Sequence, residues 1–233
     1  MNSYAAYYQK LYNLQDEVLT HIREEETGFY LTGGTALSRC YLNHRYSDDL
    51  DFFMNYSPSF SRDADALKKM LQSVYQERFK SQIDQDFFKR FFIVDTERQI
   101  ELKIEFINDV EHRTGEIHEH PIYPRIDSWQ NILSNKITAL SRNEPKDWID
   151  ILYISYQYNF NWMKLIEEAK KKDSWVEEIK VATYFYEIEH ISDVRFIHPP
   201  KTETVLANLK TIAKDILKGG ENSLAKSDKN LRS

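Results

Sequence analysis

From Gln99 to Phe106 apolar and polar residues alternate without a break, with Ile100, Leu102, Ile104 and Phe106 set between Glu101, Lys103 and Glu105. A period of two fits a half-buried strand and no helix, so the chain must build a sheet with one face to cover. Nothing after Asp127 repeats the pattern. There the apolar spacing turns helical, over 128–142, 146–158, 161–172, 174–189 and 202–217. The polar stretch 108–126, with Gly115, Pro121 and Pro124, lies where the two patterns meet. The expectation is an α+β chain: residues 1–110 as a mixed β-sheet flanked by helices, and 111–218 as a helical bundle. The polar segment 219–233, poor in large apolar side chains, is expected to be disordered.

The first half supplies the other parts of a sheet domain. Tyr4, Tyr8, Leu11, Leu14, Val18 and Ile22 recur every three or four residues and predict a helix over 4–26. Phe29-Tyr30-Leu31-Thr32 is β-prone and stops at Gly33-Gly34, after which Thr35 to Leu42 looks helical. A second strand holds Leu50, Phe52 and Phe53. A helix carrying Leu67, Met70, Leu71, Val74 and Tyr75 and a strand near 87–94 complete the half.

Charge and cysteine content narrow the partners. The net charge of −6 is carried by residues 1–126, with 15 basic against 21 acidic side chains; the remainder is balanced at 16 and 16. A surplus of carboxylates argues against tight sequence-blind nucleic-acid binding, which depends on neutralising phosphates, and suits a site for divalent cations. Cys40 is the single cysteine, so an internal disulfide and a thiolate metal cluster are both excluded. With no apolar run near the ~20 residues of a membrane span and no basic-then-apolar N-terminus, a cytoplasmic protein is expected.

Two elements carry chemistry. A strand ending in Gly33-Gly34-Thr35 before a helix lets backbone N–H groups approach an anion. Asp49 and Asp51 flank Leu50, so strand geometry turns both carboxylates to one face while Leu50 enters the core. Adjacent carboxylates repel unless a cation sits between them, and hard divalent ions are their natural ligand. Each element has a bland alternative, a turn for the glycines and a solvated strand face for the acids. A third carboxylate is expected from the 99–107 strand; Glu105 is preferred to Glu101 for its apolar setting near the strand end. Asp48 points the other way and is expected to be structural.

Together these residues carry a resemblance. Gly33-Gly34-Thr35 followed by Asp49-Leu50-Asp51 resembles the signature of polymerase-β-type nucleotidyltransferases, and the fuller run GGTALSRCYLNHRYSDDLDFF resembles the AbiEii/AbiGii toxin family within them. A second block, Lys136-x-x-Ala139-x-x-Arg142 in loose form and then Asp147-x-x-Asp150-Ile151-Leu152, is similar to that family's downstream pattern. Thr35 stands where many nucleotidyltransferases have serine, which keeps the hydroxyl. The resemblance implies a nucleotidyltransferase-fold domain followed by a helical domain, Mg2+ (with Mn2+ as a substitute) held by Asp49, Asp51 and Glu105, and a nucleoside triphosphate held by Gly33, Gly34, Thr35, Lys136, Arg142 and Asp147. It also implies transfer of a nucleotidyl group to an acceptor hydroxyl, with tRNA the acceptor for a few members, and a toxin of a type IV toxin–antitoxin or phage-defence system with a separately encoded antitoxin.

Read by themselves, the second-block residues keep simpler alternatives. Lys136 on an apolar helix face needs an anion or snorkels to solvent; Arg142 either meets phosphate or pairs with Asp147 or Asp150; Asp147 suits the first turn of a helix. Arg45 and Ser47 either bind phosphate or brace the loop before Asp49, with bracing preferred. His112, His118 and His120 read as a solvated loop, and Cys40 as a small buried side chain. Two rivals stand beside the toxin reading: a transferase for small molecules such as antibiotics, and a nucleotide-binding protein without turnover.

Overall fold

The structure is a computed structural model that describes residues 3–226; residues 227–233 of the expected disordered tail lie outside it. The chain forms two compact units. The first holds the residues up to Tyr41 together with Tyr46–Ser128, and the second holds Leu42–Arg45 together with the chain from Trp129 onward. The stretch 108–126, which the sequence suggested as a connector, therefore falls inside the first unit.

That unit contains α1 (Ser3–Glu24), β1 (Tyr30–Thr32), the short α2 (Gly33–Ala36), β2 (Leu50–Asn55), α3 (Phe60–Tyr75), β3 (Phe79–Asp84), β4 (Phe88–Asp95) and β5 (Ile100–Asp109). The strands form one mixed sheet in the order β1-β2-β5-β4-β3, with β2 and β5 parallel and the other neighbours antiparallel. Alternation decides which side is which. Leu50, Phe52, Leu102, Ile104, Phe106, Phe91 and Ile93 are buried, and they share the face opposite to Asp51, Lys103, Glu105 and Arg90 by strand period. Phe106 is the hub of the apolar side, its ring centroid 4.9 Å from Phe29, 5.3 Å from Phe52 and 5.9 Å from Phe91. Removing so central an aromatic costs roughly 3–5 kcal/mol. Helix α1 packs against β5 and α3 through the stripe that its spacing predicts, Leu11, Leu14, Val18 and Ile22.

Three local features differ from the sequence reading. Strand β3 carries no apolar alternation, because as an edge strand only Phe79 on it is buried. The helix after the glycines is one short α-helical turn that continues as a π-helical stretch, Leu37–Leu42. The end of the 108–126 stretch lies beside β1: Leu31 N–H donates to Arg125 O at 2.8 Å, and Asp127 N–H donates to Leu31 O at 3.0 Å.

The second unit is helical, with α4 (Trp129–Ala139), α5 (Pro145–Gln157), α6 (Trp162–Lys170), α7 (Glu178–Glu187) and α8 (Thr202–Lys218). Their ends follow ordinary capping chemistry. Pro145 opens α5, the Asn161 side chain accepts the Lys164 N–H at 3.1 Å, and Gly219 closes α8 at φ +61°. Residues 219–226, expected to belong to a disordered tail, are instead packed. Asn222 is buried and its amide donates to Ser155 O at 2.7 Å and Tyr158 O at 2.8 Å, satisfying carbonyls at the end of α5. Among the described residues no helix is long and apolar enough to cross a membrane.

Candidate active site

Strand register sets out a row of side chains across the charged face of the sheet. Thr32 on β1 pairs with Asp51 on β2, Asp51 with Glu105 on β5, and Glu105 with Arg90 on β4. Directly paired residues share a face, so four successive strands present hydroxyl, carboxylate, carboxylate and guanidinium side by side. Asp49 lies one residue before β2, and period two returns it to the same side as Asp51.

The glycine turn begins where this row ends. Gly33 follows Thr32 directly and adopts φ +68°, a left-handed conformation open to glycine at little cost. A Cβ at Gly33 would fall 2.3 Å from Asp51 Oδ2, so the absence of a side chain is what lets the turn lie against the carboxylate. Gly34 and Thr35 follow in α2, both buried. The first N–H groups of a helix lack intrahelical acceptors, and here they stand next to a carboxylate face. The Thr35 hydroxyl is turned inward: it donates to Asp49 O and lies 3.0 Å from Ser47 Oγ. It thus fixes the loop bearing Asp49.

That loop is also held from α1. Gln15 Nε2 donates to the carbonyls of Ser47 and Asp48 at 3.2 Å each, Tyr12 OH accepts the Ser47 N–H at 3.1 Å, and Tyr8 OH donates to Asp48 Oδ1 at 2.7 Å. Ser47 and Asp48 therefore hold the structural roles expected of them. Gln15 and the two tyrosines were legible only as helix positions.

The carboxylates are not left to repel one another. Lys103 Nζ lies 2.9 Å from Asp49 Oδ2 and 3.5 Å from Glu105 Oε1. Burial alone would lower the Lys103 pKa, but Asp49, Glu105 and Asp51 together raise it. Glu105, expected as the third metal carboxylate, stands beside Asp51, yet its Oε1 accepts Arg90 Nε at 2.6 Å and meets Arg90 Nη2 at 2.5 Å. Glu101, four residues earlier on β5, pairs with Val94 and is exposed. Among the described residues no group of three or more His, Cys, Asp or Glu side chains is disposed to hold a metal ion. Asp49 and Asp51 nonetheless fit Mg2+, which typically takes one or two protein carboxylates and completes its shell with water and substrate phosphates.

The second block forms a separate cluster within the helical unit. Lys136 on α4 is buried, with Nζ 2.7 Å from Asp147 Oδ1 and 2.7 Å from Asp150 Oδ2, both on α5. The anions its apolar surroundings demanded are, in this structure, these two aspartates. Arg142 Nη2 lies 3.1 Å from Asp147 Oδ2. Arg45, from the segment Leu42–Arg45, donates through Nε to Asp150 Oδ1 at 2.6 Å and through Nη2 to Asp150 Oδ2 at 2.7 Å, and His44 Nε2 meets Asp150 Oδ1 at 2.8 Å. Burial would raise the Asp150 carboxyl, but Arg45, Lys136 and His44 hold it well below the usual range. Burial lowers the His44 pKa despite the bond to Asp150.

The remaining candidates stay outside both clusters. His118 lies against Tyr41 OH and His120 Nδ1 accepts the Ile122 N–H at 3.2 Å. Burial pushes the Cys40 thiol up to about 12, far from the thiolate a nucleophile needs.

Comparison with known proteins gives the family and the fold. The profile of the family described as "Nucleotidyl transferase AbiEii toxin, Type IV TA system" matches residues 17–220. JHP933 from Helicobacter pylori is a similar solved structure at TM-score 0.63 and 20% identity, over 97% of this chain and 96% of that one. MenT4, a nucleotidyltransferase toxin from Mycobacterium tuberculosis, is similar at TM-score 0.63 and 15% identity, over 90% and 84%. At these identities the likeness concerns the fold. No curated protein gives a match.

Proposed function

We propose, from the premise that the chain belongs to the AbiEii family of nucleotidyl transferase toxins, that it moves a nucleotidyl group from a nucleoside triphosphate to a hydroxyl of RNA, with tRNA the first candidate. The observation that supports this reading is the close approach of the Gly33 turn to the Asp51 carboxylate, which leaves a turn suited to phosphate beside a hard oxygen donor. Asp49 and Asp51 would hold Mg2+, or Mn2+ in its place. Bound there, the ion would supply charge neutralisation for the phosphates. Backbone N–H groups of Gly33, Gly34 and Thr35 would hold the phosphates, while the Thr35 hydroxyl keeps the Asp49 loop in place. Glu105, held by Arg90, would assist the metal or activate the acceptor hydroxyl. In-line attack by the acceptor hydroxyl on the α-phosphate would release pyrophosphate.

Lys136, Arg142 and Asp147 enter the proposal as nucleotide contacts of the helical unit. A triphosphate would have to compete with Asp147 and Asp150 for the Lys136 ammonium. The toxin role implies a separately encoded antitoxin partner, and the work of the enzyme is expected in the cytoplasm.

The test incubates the purified chain and Mg2+ with each α-labelled NTP and total RNA, protein or small metabolites. Label should enter RNA, and Asp49→Asn and Asp51→Asn should each abolish it; Asp51→Asn should melt no lower than the parent without Mg2+, since it removes a repelling charge, whereas Asp49→Asn also gives up the ion pair with Lys103. Label confined to metabolites would replace the RNA acceptor with a small-molecule one. Full activity in either variant would remove the pair from the chemistry. Lys136→Ala should weaken NTP binding by about 1.5–3 kcal/mol if it loses a charged hydrogen bond to phosphate; unchanged affinity would leave Lys136 with its aspartates.

A further inference from the structure

The charged face of the sheet contains a cation that the proposed metal chemistry does not use. Lys103 is flanked on β5 by Leu102 and Ile104, both fully buried, and strand alternation therefore sends its side chain to the opposite face. There the ammonium reaches Asp49 at 2.9 Å and Glu105 at 3.5 Å. Glu105 already has a guanidinium partner in Arg90, at 2.5 Å. Three carboxylates, Asp49, Asp51 and Glu105, thus face two fixed cations, leaving a single unit of negative charge. Without Lys103 these three carboxylates would face Arg90 alone, leaving two units of negative charge among them, and Asp49 would lose the ammonium on its oxygen.

We propose that Lys103 is the site's internal counter-ion: it occupies Asp49 and Glu105 in the free protein, so that a divalent ion binds well only when a nucleotide brings further negative charge. The inference rests on the reading of Asp49 and Asp51 as metal ligands. Lys103 acts here as a positioning residue. It holds the Asp49 carboxylate, just before β2, and the Glu105 carboxylate of β5 at a fixed spacing and prevents them from gathering a metal prematurely. Like charges within a few ångströms compete for the same oxygens, and the competition is strongest where water is partly excluded. The Lys103 and Asp49 side chains are each only about a quarter exposed, at 27% and 28%. A nucleoside triphosphate changes the balance, since its phosphates add ligands and charge that Lys103 cannot neutralise alone. Metal and nucleotide would then bind with positive coupling, each raising the affinity for the other equally.

The experiment titrates Mn2+ into the full chain and reads free Mn2+ by electron paramagnetic resonance, alone and with a non-hydrolysable analogue of each NTP. The parent should bind Mn2+ weakly alone and at least tenfold more tightly with an analogue. Lys103→Met should bind Mn2+ alone at least tenfold more tightly than the parent, with most of the coupling to nucleotide lost. Lys103→Arg, which keeps the charge, should behave like the parent. A lysine that served only as a structural strut would lower the melting temperature on removal and leave the ratio of the two affinities unchanged. Lys103→Gln repeats the measurement if the methionine variant does not fold. Equal Mn2+ affinity in parent and uncharged variant overturns the inference while leaving the metal reading intact. Failure of the parent to take up Mn2+ with any analogue overturns both.

Discussion

Two clusters of acids and bases, one in each unit, show how burial decides what a charge can do. On the sheet face, Asp49 keeps 28% of its side chain exposed and Arg90 31%, and the carboxylates outnumber the cations. In the helical unit, Asp147 and Asp150 are fully buried, Lys136 and Arg45 nearly so, and every acid has at least two cationic or hydrogen-bonding partners. An open cluster with charge to spare can admit a ligand at small cost. A closed one is committed to its own geometry, because losing one partner leaves the other charged and out of water.

The most severe break in the comparison should come from Asp150→Ala. It strands Arg45 in a buried setting and takes from Lys136 one of its two carboxylates, and an uncompensated buried charge costs about 3–5 kcal/mol. Urea denaturation should show that loss with or without Mg2+, whereas Asp51→Asn should show none. A small effect at Asp150 would mean that the cluster opens to water readily. Next in size is Gly33→Ala. The left-handed backbone and the collision with Asp51 should together cost about 1–3 kcal/mol, and nucleotidyl transfer should fall further than stability does. Equal loss of the two would separate the turn from the site. The smallest effect belongs to Arg142→Ala. Its side chain is 62% exposed and Lys136 still holds Asp147, so the change should stay within about 0.2–1 kcal/mol and diminish at high salt.

The sequence displayed the backbone half of this architecture well and the pairings poorly. Period two placed Asp49 and Asp51 on one face, the alternation from Ile100 to Phe106 announced the central strand, and helical spacing located each helix of the second unit to within a few residues. These are local signals. Arg90 escaped notice because its importance comes from lying opposite Glu105, a matter of register between strands. Lys103 was visible between Glu101 and Glu105, but its partner Asp49 lies on another strand's approach. Strand β3 offered almost no apolar residue to count. Asn222 misled in the opposite direction: polar composition suggested disorder, while the amide is buried by the carbonyls that it satisfies.

The four residues Leu42–Arg45, numbered with the sheet but packed with the helices, make the chain's halves inseparable in time as well as in sequence. During synthesis, His44 and Arg45 leave the ribosome more than a hundred residues ahead of Asp150, the acid that both require. The helical unit can therefore complete its buried cluster only by closing a very long loop, whose entropic cost grows slowly with length but must be met before any contact repays it. A fragment starting at Trp129 would contain Asp150 and Lys136 without Arg45, and would have to bury the acid half-satisfied. Circular permutation that cuts between Tyr41 and Tyr46 would divide the segment instead. The boundary that contacts draw through this protein is thus one the polypeptide crosses three times.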